Sequence, residues 1–361
     1  MPGPGNFGAA LGAATERAGA DPFLIEPAGP TWTYGAIDDL GARLANVLSE
    51  AGAGPGDRVL VQVAKSPTAV ALYLGCLRAG TVHVPLNPAF TLDELDHFVA
   101  DADPAVIVAD ADPHRDLVAR TGRAVLTLDG HGHGSLVEAA AHASPLPLVR
   151  RSDDDVAALL YTSGTTGRPK GAALTHSNLR HNAEALHRIW RFDTDDHLLH
   201  TLPIFHVHGL FVALHCAMLS AAPVTFLRRF VVDDVVAHLP GSTVMMGVPT
   251  QYQRLLDDAR LDRDLVATMR LFTSGSAPLS EAVFEAFAER TGHRILERYG
   301  MSEAGIITSN RYGGPRVAGT VGHPLPEVEL RVVDGQGVPV PPGVTGSVEI
   351  RGPHLFSGYW R

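Results

Sequence analysis

The sequence predicts an α/β fold in which helices cover mainly parallel sheets, and two observations carry this prediction. Between about residue 34 and residue 109, segments with helical spacing of apolar residues alternate with short runs typical of strands. A second block with the same alternation extends from Val156 to about Gly313. Beyond it the helical patterns stop, and short runs between Gly- and Pro-rich turns indicate antiparallel strands. Regular alternation of helix and strand is typical of parallel sheets with helices on their faces.

The elements can be assigned in chain order. Apolar side chains recur at helical spacing from Ile37 to Leu48. The segments that follow are predicted as the strand Arg58–Val63, the helix Thr68–Arg78, the strand Thr81–Val84, the helix Leu92–Ala100 and the strand Ala105–Ala109. A Gly-, His- and Pro-containing connection from His131 to Arg150 ends this block. We therefore expect a first α/β subdomain at 1–150, a second at 151–313 and an antiparallel subdomain at 314–361.

The second block opens with a loop suited to holding phosphate. The loop follows the predicted buried strand Val156–Leu160 and precedes the predicted helix Asn178–Ile189. Glycines let the backbone approach a polyanion, hydroxyls donate hydrogen bonds, and a lysine adds positive charge. The residues concerned are Thr162, Ser163, Gly164, Thr165, Thr166, Gly167 and Lys170. The spacing differs from that of a Walker P-loop, and Pro169 lacks an amide donor. An ordinary solvated turn is the alternative interpretation.

Together with four further motifs, this loop resembles the phosphate loop of the adenylate-forming superfamily, which includes acyl-CoA synthetases, firefly luciferases and peptide-synthetase adenylation domains. Pro203–Gly209 resembles the acyl-pocket loop of that superfamily, and Ser274–Pro278 its adenine-side turn. Glu297–Glu303 is similar to its nucleotide and metal motif, and Gly346–Trp360 to the strand pair that closes its large domain. The resemblance covers nearly the whole chain. It implies two stacked, mainly parallel α/β sheets and a small distorted antiparallel β-barrel.

The resemblance also implies a reaction. A carboxylate attacks the α-phosphorus of ATP to form an acyl-AMP with loss of pyrophosphate, and the thiol of coenzyme A then displaces AMP. Two anions must meet in the first step, so the site has to supply positive charge and Mg²⁺.

Residue roles follow from the motifs that match. Lys170 and the loop residues before it are implied to hold phosphates, Glu303 to bind Mg²⁺ and Ser302 to contact the α-phosphate. Tyr299 is implied to stack on adenine and His206 to lie near the reacting carboxylate. The remaining residues implied at the nucleotide are Ser274, Gly275, Ser276, Ala277, Pro278, Gly300 and Met301. For Glu303 alone, a helix-terminal charge without any metal is the alternative interpretation.

Arg298 indicates the substrate. It precedes the adenine tyrosine at a position that is often small in relatives, and a guanidinium there would face a second carboxylate. With His206 and His208, it gives the chain a resemblance to malonyl-CoA synthetases, so the expected acid is malonate or methylmalonate. A salt bridge from Arg298 to Glu297 or Glu303 is the alternative, and His208 could equally be a core residue. An aryl or medium-chain acyl-CoA ligase, or a module that only binds nucleotide, is the alternative function.

Composition limits the partners and the location. Lys and Arg number 29 against 39 Asp and Glu, a net charge of −10 without a basic run, so no nucleic acid partner is expected. The longest apolar stretches are shorter than the roughly 18 residues of a membrane-spanning helix, so no membrane partner is expected. The start of the chain lacks the pattern of a secretory signal, and Cys76 and Cys216 lie in apolar runs. We therefore expect a cytoplasmic protein with buried thiols.

Members of the superfamily normally continue beyond this domain. A Thr-Gly-Asp segment that holds the ribose, a hinge and a small C-terminal domain with the adenylation lysine follow, and the sequence given ends at Arg361 before them. The resemblance therefore implies that this chain is the large N-terminal domain. On this view a C-terminal domain would normally pack over the site, and the chain alone would be impaired in making the thioester.

Overall fold

The computed structural model describes residues 5–111, 117–162 and 168–361, and its strands form two large sheets and one ribbon. The strands are β1 (Pro22–Ile25), β2 (Thr31–Thr33), β3 (Arg58–Gln62), β4 (Val82–Pro85), β5 (Val106–Ala109), β6 (Ala124–Thr127), β7 (Val156–Thr162), β8 (Lys170–Thr175), β9 (Leu198–His200), β10 (Val224–Phe226), β11 (Val244–Gly247), β12 (Leu271–Ser274), β13 (Leu296–Met301), β14 (Gly305–Ser309), β15 (His323–Pro324), β16 (Glu329–Val333), β17 (Ser347–Arg351) and β18 (Gly358–Tyr359).

The first sheet has seven strands in the order β18-β8-β7-β4-β3-β5-β6. The five strands from β7 to β6 run parallel, whereas β8 pairs antiparallel with β7, and β18 pairs antiparallel with β8. The β4 and β5 strands are buried along their whole length, as expected for parallel strands covered on both faces.

The second sheet has nine strands in the order β15-β14-β13-β12-β11-β9-β10-β1-β2. The six strands from β13 to β1 run parallel, whereas β2 pairs antiparallel with β1, β14 with β13, and β15 with β14. Gly247, Ser274 and Glu297 are neighbours across β11, β12 and β13. The carboxyl ends of β11 and β12 therefore meet at one edge, beyond which β13 continues, and open α/β sheets bind ligands at this edge.

Helices connect and cover the sheets. In the described residues they are α1 (Phe7–Ala18), α2 (Tyr34–Glu50), α3 (Pro67–Ala79), α4 (Leu92–Ala102), α5 (Leu117–Thr121), α6 (Ser135–Ala140), α7 (His176–Ile189), α8 (His215–Ser220), α9 (Val232–His238), α10 (Pro249–Leu256) and α11 (Glu281–Thr291), with a π-helix at His208–Leu214 and a 3₁₀ turn at Leu239–Gly241.

The ends of α3 show why these helices begin and stop where they do. The Ser66 side chain accepts a hydrogen bond from the Ala69 amide, and Pro67 occupies the first turn, where its missing amide costs nothing. At the other end Gly80 adopts φ +70°, a left-handed conformation that glycine enters easily.

Successive side chains of each strand point to opposite faces of its sheet, and this alternation divides the hydrophobic core into layers. Val59 and Val61 of β3 join a central core that also contains Val244 and Met246 of β11, so helices packed in it lie between the facing sides of the sheets. The alternate residue Leu60 joins an outer cluster with α4. The far side of β11 and β12 packs against α10 and α11 in another outer cluster.

The predicted α/β class is confirmed, but the small β-barrel is not. In the described part after residue 313, β15 extends the nine-stranded sheet, β18 extends the seven-stranded sheet, and only β16 and β17 pair with each other. The barrel is not confirmed because two of these strands pair with the large sheets. The subdomain boundaries stay predictions, and strands from both sides of residue 150 contribute to both sheets.

Two further expectations can be compared with the structure. The Cys76 and Cys216 thiols are free and buried, as predicted. None of the helices in the described part combines the length and hydropathy that crossing a bilayer requires.

Candidate active site

One β-hairpin carries both Arg298 and Glu303. Strand β13 pairs antiparallel with β14, and Glu303 lies in the turn between them. The two strands approach so closely at Gly300 that a Cβ there would lie 2.1 Å from the Gly305 carbonyl oxygen. Glycine is therefore required at this position, and the hairpin keeps Arg298 near the carboxyl edge of the sheet while Glu303 lies at the tip.

The Arg298 side chain is buried without a partner among the described residues. It is 5% exposed, and its Nε and Nη2 atoms make no hydrogen bond to any described residue. Burial lowers the pKa of Arg298 to about 10. The guanidinium lies directly against Gly275, where a Cβ would be 2.3 Å from Nη1 and 2.4 Å from Cζ. The glycine predicted for the adenine side therefore makes room for the arginine.

The alternative interpretation of Arg298 as an internal salt bridge does not hold. Among the described residues it forms no ion pair with Glu297 or Glu303. Glu297 precedes it on β13, where successive side chains point to opposite faces. Burial raises the pKa of Glu297, which is the direction expected of a carboxyl that lacks a cationic partner.

His208 lies beside this arginine. It is 5% exposed, its Nδ1 lies 3.3 Å from the Ser276 hydroxyl, and its Nε2 has no partner among the described residues. Burial, reinforced by the charge of Arg298, lowers the pKa of His208 far below its usual value. The imidazole is therefore neutral at pH 7. Ser276 has φ +69°, so the turn after β12 is constrained where it meets His208.

A buried network supports the start of the π-helix. Lys65 Nζ lies 2.7 Å from His200 Nδ1 and donates to the carbonyl oxygens of His200 and Leu227 at 3.1 and 2.6 Å. His200 Nε2 in turn lies 3.0 Å from the Gly209 carbonyl oxygen. A carbonyl only accepts, so Nε2 carries the ring proton and Nδ1 accepts from Lys65. The network fixes Gly209, the neighbour of His208.

His206 does not join the buried group. Its side chain is exposed, and its ring lies 4.4 Å from that of Phe205. The structure thus brings together three of the predicted residues, Arg298, His208 and Ser276, and leaves His206 at the surface.

A second group lies at the tip of the hairpin. Glu303 is 8% exposed, and its Oε1 accepts a hydrogen bond of 2.8 Å from the Tyr359 hydroxyl. The ammonium of Lys170 lies over the ring of Tyr359, 5.3 Å from its centroid. The hydrogen bond to Glu303 raises the pKa of Tyr359. Two residues predicted for the nucleotide are therefore joined by a tyrosine.

The donor set at this tip fits Mg²⁺ held partly by phosphate. The described residues contain no group of three or more His, Cys, Asp or Glu side chains that could cage a metal ion. Glu303 offers one carboxylate, and its Oε2 makes no hydrogen bond to the described residues. Mg²⁺ usually binds through one or two carboxylates together with substrate phosphates and water.

The other residues predicted at the nucleotide lie in several parts of the chain. Thr162 pairs with Lys170 across the β7–β8 ladder, and Tyr299 and Met301 are 41% and 43% exposed. Ser302 is half-buried. Ser274 is buried, and Ala277 and Pro278 are exposed. The loop residues Ser163, Gly164, Thr165, Thr166 and Gly167 lie outside the described residues.

Sequence reasoning missed the roles of Tyr359 and His200. Tyr359 lay inside a segment expected only to close the domain, and no local pattern indicates that it reaches Glu303. His200 ends the observed strand β9, which the sequence did not predict, and a histidine in an apolar run is more often structural. A polar residue at the carboxyl end of a parallel strand was the one available signal for His200.

Several known proteins are similar to this chain. The family model described as AMP-binding enzyme matches residues 12–360. Malonate–CoA ligase of Arabidopsis thaliana is 30% identical over 385 residues, covering 94% of this chain and 62% of that protein. Feruloyl-CoA synthase of an Amycolatopsis species is 32% identical over 340 residues, covering 93% of this chain and 68% of that protein.

A solved structure is also similar. The ATP-bound MatB from Rhodopseudomonas palustris superimposes with a TM-score of 0.95 at 45% identity, covering 99% of this chain and 72% of that one. The chain spans 62% of the Arabidopsis ligase and 58% of a probable CoA ligase of Humulus lupulus. Since the family model extends over almost the whole sequence, the chain belongs to the AMP-binding enzyme family.

Proposed function

We propose that the protein carrying this chain activates a small dicarboxylic acid, malonate or methylmalonate, with ATP and transfers the acyl group to coenzyme A. The observation that carries this proposal is the buried guanidinium of Arg298, which no described residue pairs. The similarity to malonate–CoA ligase supports the same acid.

The energetic argument starts from the cost of burying a charge. An arginine buried without a partner is expensive unless an anion pairs with it. With a pKa near 10 it keeps its charge at neutral pH. Arginine also suits planar, two-point recognition of a carboxylate. A dicarboxylate would place its distal carboxylate against Arg298 and leave the other carboxylate to react.

Neighbouring groups would complete recognition of that carboxylate. The Nε2 atom of neutral His208 is buried and has no hydrogen-bond partner in the described part of the chain. Its Nδ1 is engaged by Ser276, and the tautomer with the proton on Nε2 would let His208 donate to the same carboxylate. In this proposal the exposed His206 lies nearer the reacting carboxylate than Arg298 does.

The nucleotide would bind along the hairpin toward its tip. Lys170, with Thr162 and the loop Ser163–Gly167, would bind phosphates, and Ser302 would contact the α-phosphate. Tyr299, Gly300 and Met301 would adjoin adenine together with the turn Ser274–Pro278. Mg²⁺ bound at Glu303 would neutralise charge on the leaving pyrophosphate. Lys170 adds a positive charge on the same side of the reaction.

The proposed reaction, which the family resemblance implies, exchanges the following bonds. A carboxylate oxygen of the acid bonds to the α-phosphorus of ATP while the bond to the bridging oxygen of pyrophosphate breaks. In the second half-reaction the sulfur of coenzyme A bonds to the acyl carbon, AMP leaves with its oxygen, and the thiol proton passes to solvent. The main task of the site residues is to hold the carboxylate of the acid and the α-phosphate of ATP in position to react, because positioning dominates such transfers.

Acid-dependent ATP–pyrophosphate exchange tests this function in the protein carrying the chain. Malonate or methylmalonate should support exchange with kcat/KM at least about tenfold above that for butyrate or coumarate, which corresponds to ~1.4 kcal/mol. A preference for coumarate or butyrate would instead favour an aryl or medium-chain acyl-CoA ligase. ATP binding without exchange for any of these acids would contradict the enzymatic proposal.

A further inference from the structure

The short strand β18 brings Tyr359 to the predicted nucleotide site from a distant part of the chain. Gly358 and Tyr359 pair with Ala173 and Ala172 of β8, and the Trp360 amide donates to the Gly171 carbonyl oxygen at 2.8 Å. The backbone on both sides of Tyr359 is therefore fixed to the strand that begins with Lys170.

The same segment is also fixed to the tip of the hairpin. The Phe356 amide donates to the backbone carbonyl oxygen of Glu303 at 2.7 Å, and the Tyr359 hydroxyl donates to its side chain at 2.8 Å. Both ends of Glu303 are thus held by residues 356–359. A residue held at both its backbone and its carboxylate loses little freedom when a ligand binds.

The ring of Tyr359 separates two opposite charges. The Lys170 ammonium lies over the ring at 5.3 Å from its centroid, and the Glu303 carboxylate accepts from the hydroxyl of the same ring. Among the described residues, Lys170 and Glu303 form no ion pair with each other. A direct ion pair would occupy both groups and would have to break before phosphate and metal could bind. The aromatic face instead offers Lys170 a weaker partner that phosphate can replace.

We propose that Tyr359 is a positioning residue of the nucleotide site, with a separate task for its hydroxyl and for its ring. The hydroxyl occupies Oε1 of Glu303 and leaves Oε2 for the metal. The ring keeps Lys170 apart from Glu303 until the nucleotide arrives. This inference rests on the proposed function, because it concerns the same ATP and Mg²⁺ site.

Two substitutions separate the tasks. Tyr359→Phe removes the hydroxyl and keeps the ring, whereas Tyr359→Leu removes both. Tyr161→Phe is the matched control, because the Tyr161 hydroxyl also donates to a carboxylate, Asp101 Oδ2 at 2.6 Å, which is not Glu303. The measurement is ATP affinity by titration calorimetry with and without Mg²⁺, and the ratio of the two affinities is the magnesium gain.

The expected pattern is specific to each variant. Tyr359→Phe should lower the magnesium gain by about tenfold, the low end of what loss of a partner of a metal ligand costs, and should leave metal-free ATP affinity unchanged. Tyr359→Leu should lower the magnesium gain by the same factor. It should also lower the metal-free affinity for ATP by about three- to fivefold, because Lys170 can then pair with Glu303. Tyr161→Phe should keep the wild-type gain.

A double-variant cycle with Glu303 distinguishes an effect of Tyr359 on the carboxylate from a purely structural effect. In a Glu303→Gln background, Tyr359→Phe should have no further effect on the magnesium gain, because the carboxylate that it orients is gone. A purely structural role would lower the melting temperature in both backgrounds and leave the gain unchanged.

The outcomes that overturn the inference are distinct from those that overturn the function. An unchanged magnesium gain in Tyr359→Phe, or an equal loss in Tyr161→Phe, overturns the task of the hydroxyl. Wild-type metal-free affinity in Tyr359→Leu overturns the task of the ring. A wild-type protein that does not bind ATP, or binds it without any magnesium gain, overturns the proposed function and this inference together.

Discussion

Arg298 keeps its positive charge although burial lowers its pKa to about 10. At pH 7 the neutral form is still rarer by about three orders of magnitude, because each pKa unit corresponds to a factor of ten. The site therefore carries a charge that no described residue neutralises. Its position depends on Gly275, which leaves the space that the guanidinium fills.

Because Arg298 lies directly against Gly275, adding a single methyl group at this position should disturb substrate recognition. In Gly275→Ala the added Cβ would lie 2.3 Å from Arg298 Nη1, so the guanidinium must move. We expect kcat/KM for malonate to fall by about tenfold or more, because small displacements of a group that positions the substrate cause losses of this size. The kcat/KM for butyrate, which has no second carboxylate, should fall far less.

Gly12→Ala provides the control for that substitution. Gly12 is in the middle of α1, and nothing lies within 4 Å of a Cβ built there. The kcat/KM values for malonate and for butyrate should therefore both stay at the wild-type level. Equal losses for malonate and butyrate in Gly275→Ala would show that the substitution disturbs the nucleotide turn and not the arginine.

At the scale of elements, the π-helix His208–Leu214 depends on the Lys65–His200 network at its start. Lys65 donates to three acceptors in the interior, and burial lowers its pKa well below the usual value. Removing a buried donor leaves its acceptors unsatisfied, at a cost of about 1–3 kcal/mol for each group.

Lys65→Met should therefore lower the free energy of unfolding by about 2–4 kcal/mol, measured by urea denaturation. Because His200 then loses its fixed orientation toward Gly209, the KM for malonate should also rise. Lys170→Met is the matched control, because Lys170 is the only other lysine of the chain and is exposed. Similar stability losses in both variants would contradict a structural role specific to Lys65.

Local signals in the sequence predicted the six elements between about residue 34 and residue 109, because their determinants are local. The helix expected at Thr68–Arg78 is observed at Pro67–Ala79, where Ser66 and Gly80 set its ends. The sequence could not predict the barrel region or the contact of Tyr359, because those depend on pairing between β18 and β8, which are far apart in the chain. The positions of Arg298 and Glu303 followed from their motif, whereas the lack of an ion pair for Arg298 required the structure.

At the scale of the whole molecule, buried neutral histidines link stability to pH. His83 and His215 are fully buried, and burial lowers the pKa of each from 6.5 to about 3. The folded protein therefore keeps them neutral while the unfolded chain takes up protons below pH 6.5. Stability is complete above pH 6.5 and is lost as the pH falls toward 3.

We expect the free energy of unfolding to fall by about 2 kcal/mol for each of these two histidines between pH 7 and pH 5. Denaturant titrations across this range measure the effect, and their slope against pH gives the number of protons taken up on unfolding. His83→Gln should lower that number by about one, and His133→Gln, whose side chain is 81% exposed, should not change it. Stability that stays constant or rises toward pH 5 would contradict the linkage.

The most direct test of the account is the ratio of kcat/KM for malonate to that for butyrate in Arg298→Met. Methionine fills a similar volume without a charge, and truncating one member of a buried charge pair costs about 3–5 kcal/mol, so the ratio should fall by more than about a hundredfold. Arg298→Lys, which keeps a positive charge, should retain part of the preference. If the ratio in Arg298→Met stays within about threefold of wild type, less than ~1 kcal/mol, Arg298 does not recognise a second carboxylate and the dicarboxylate assignment is wrong.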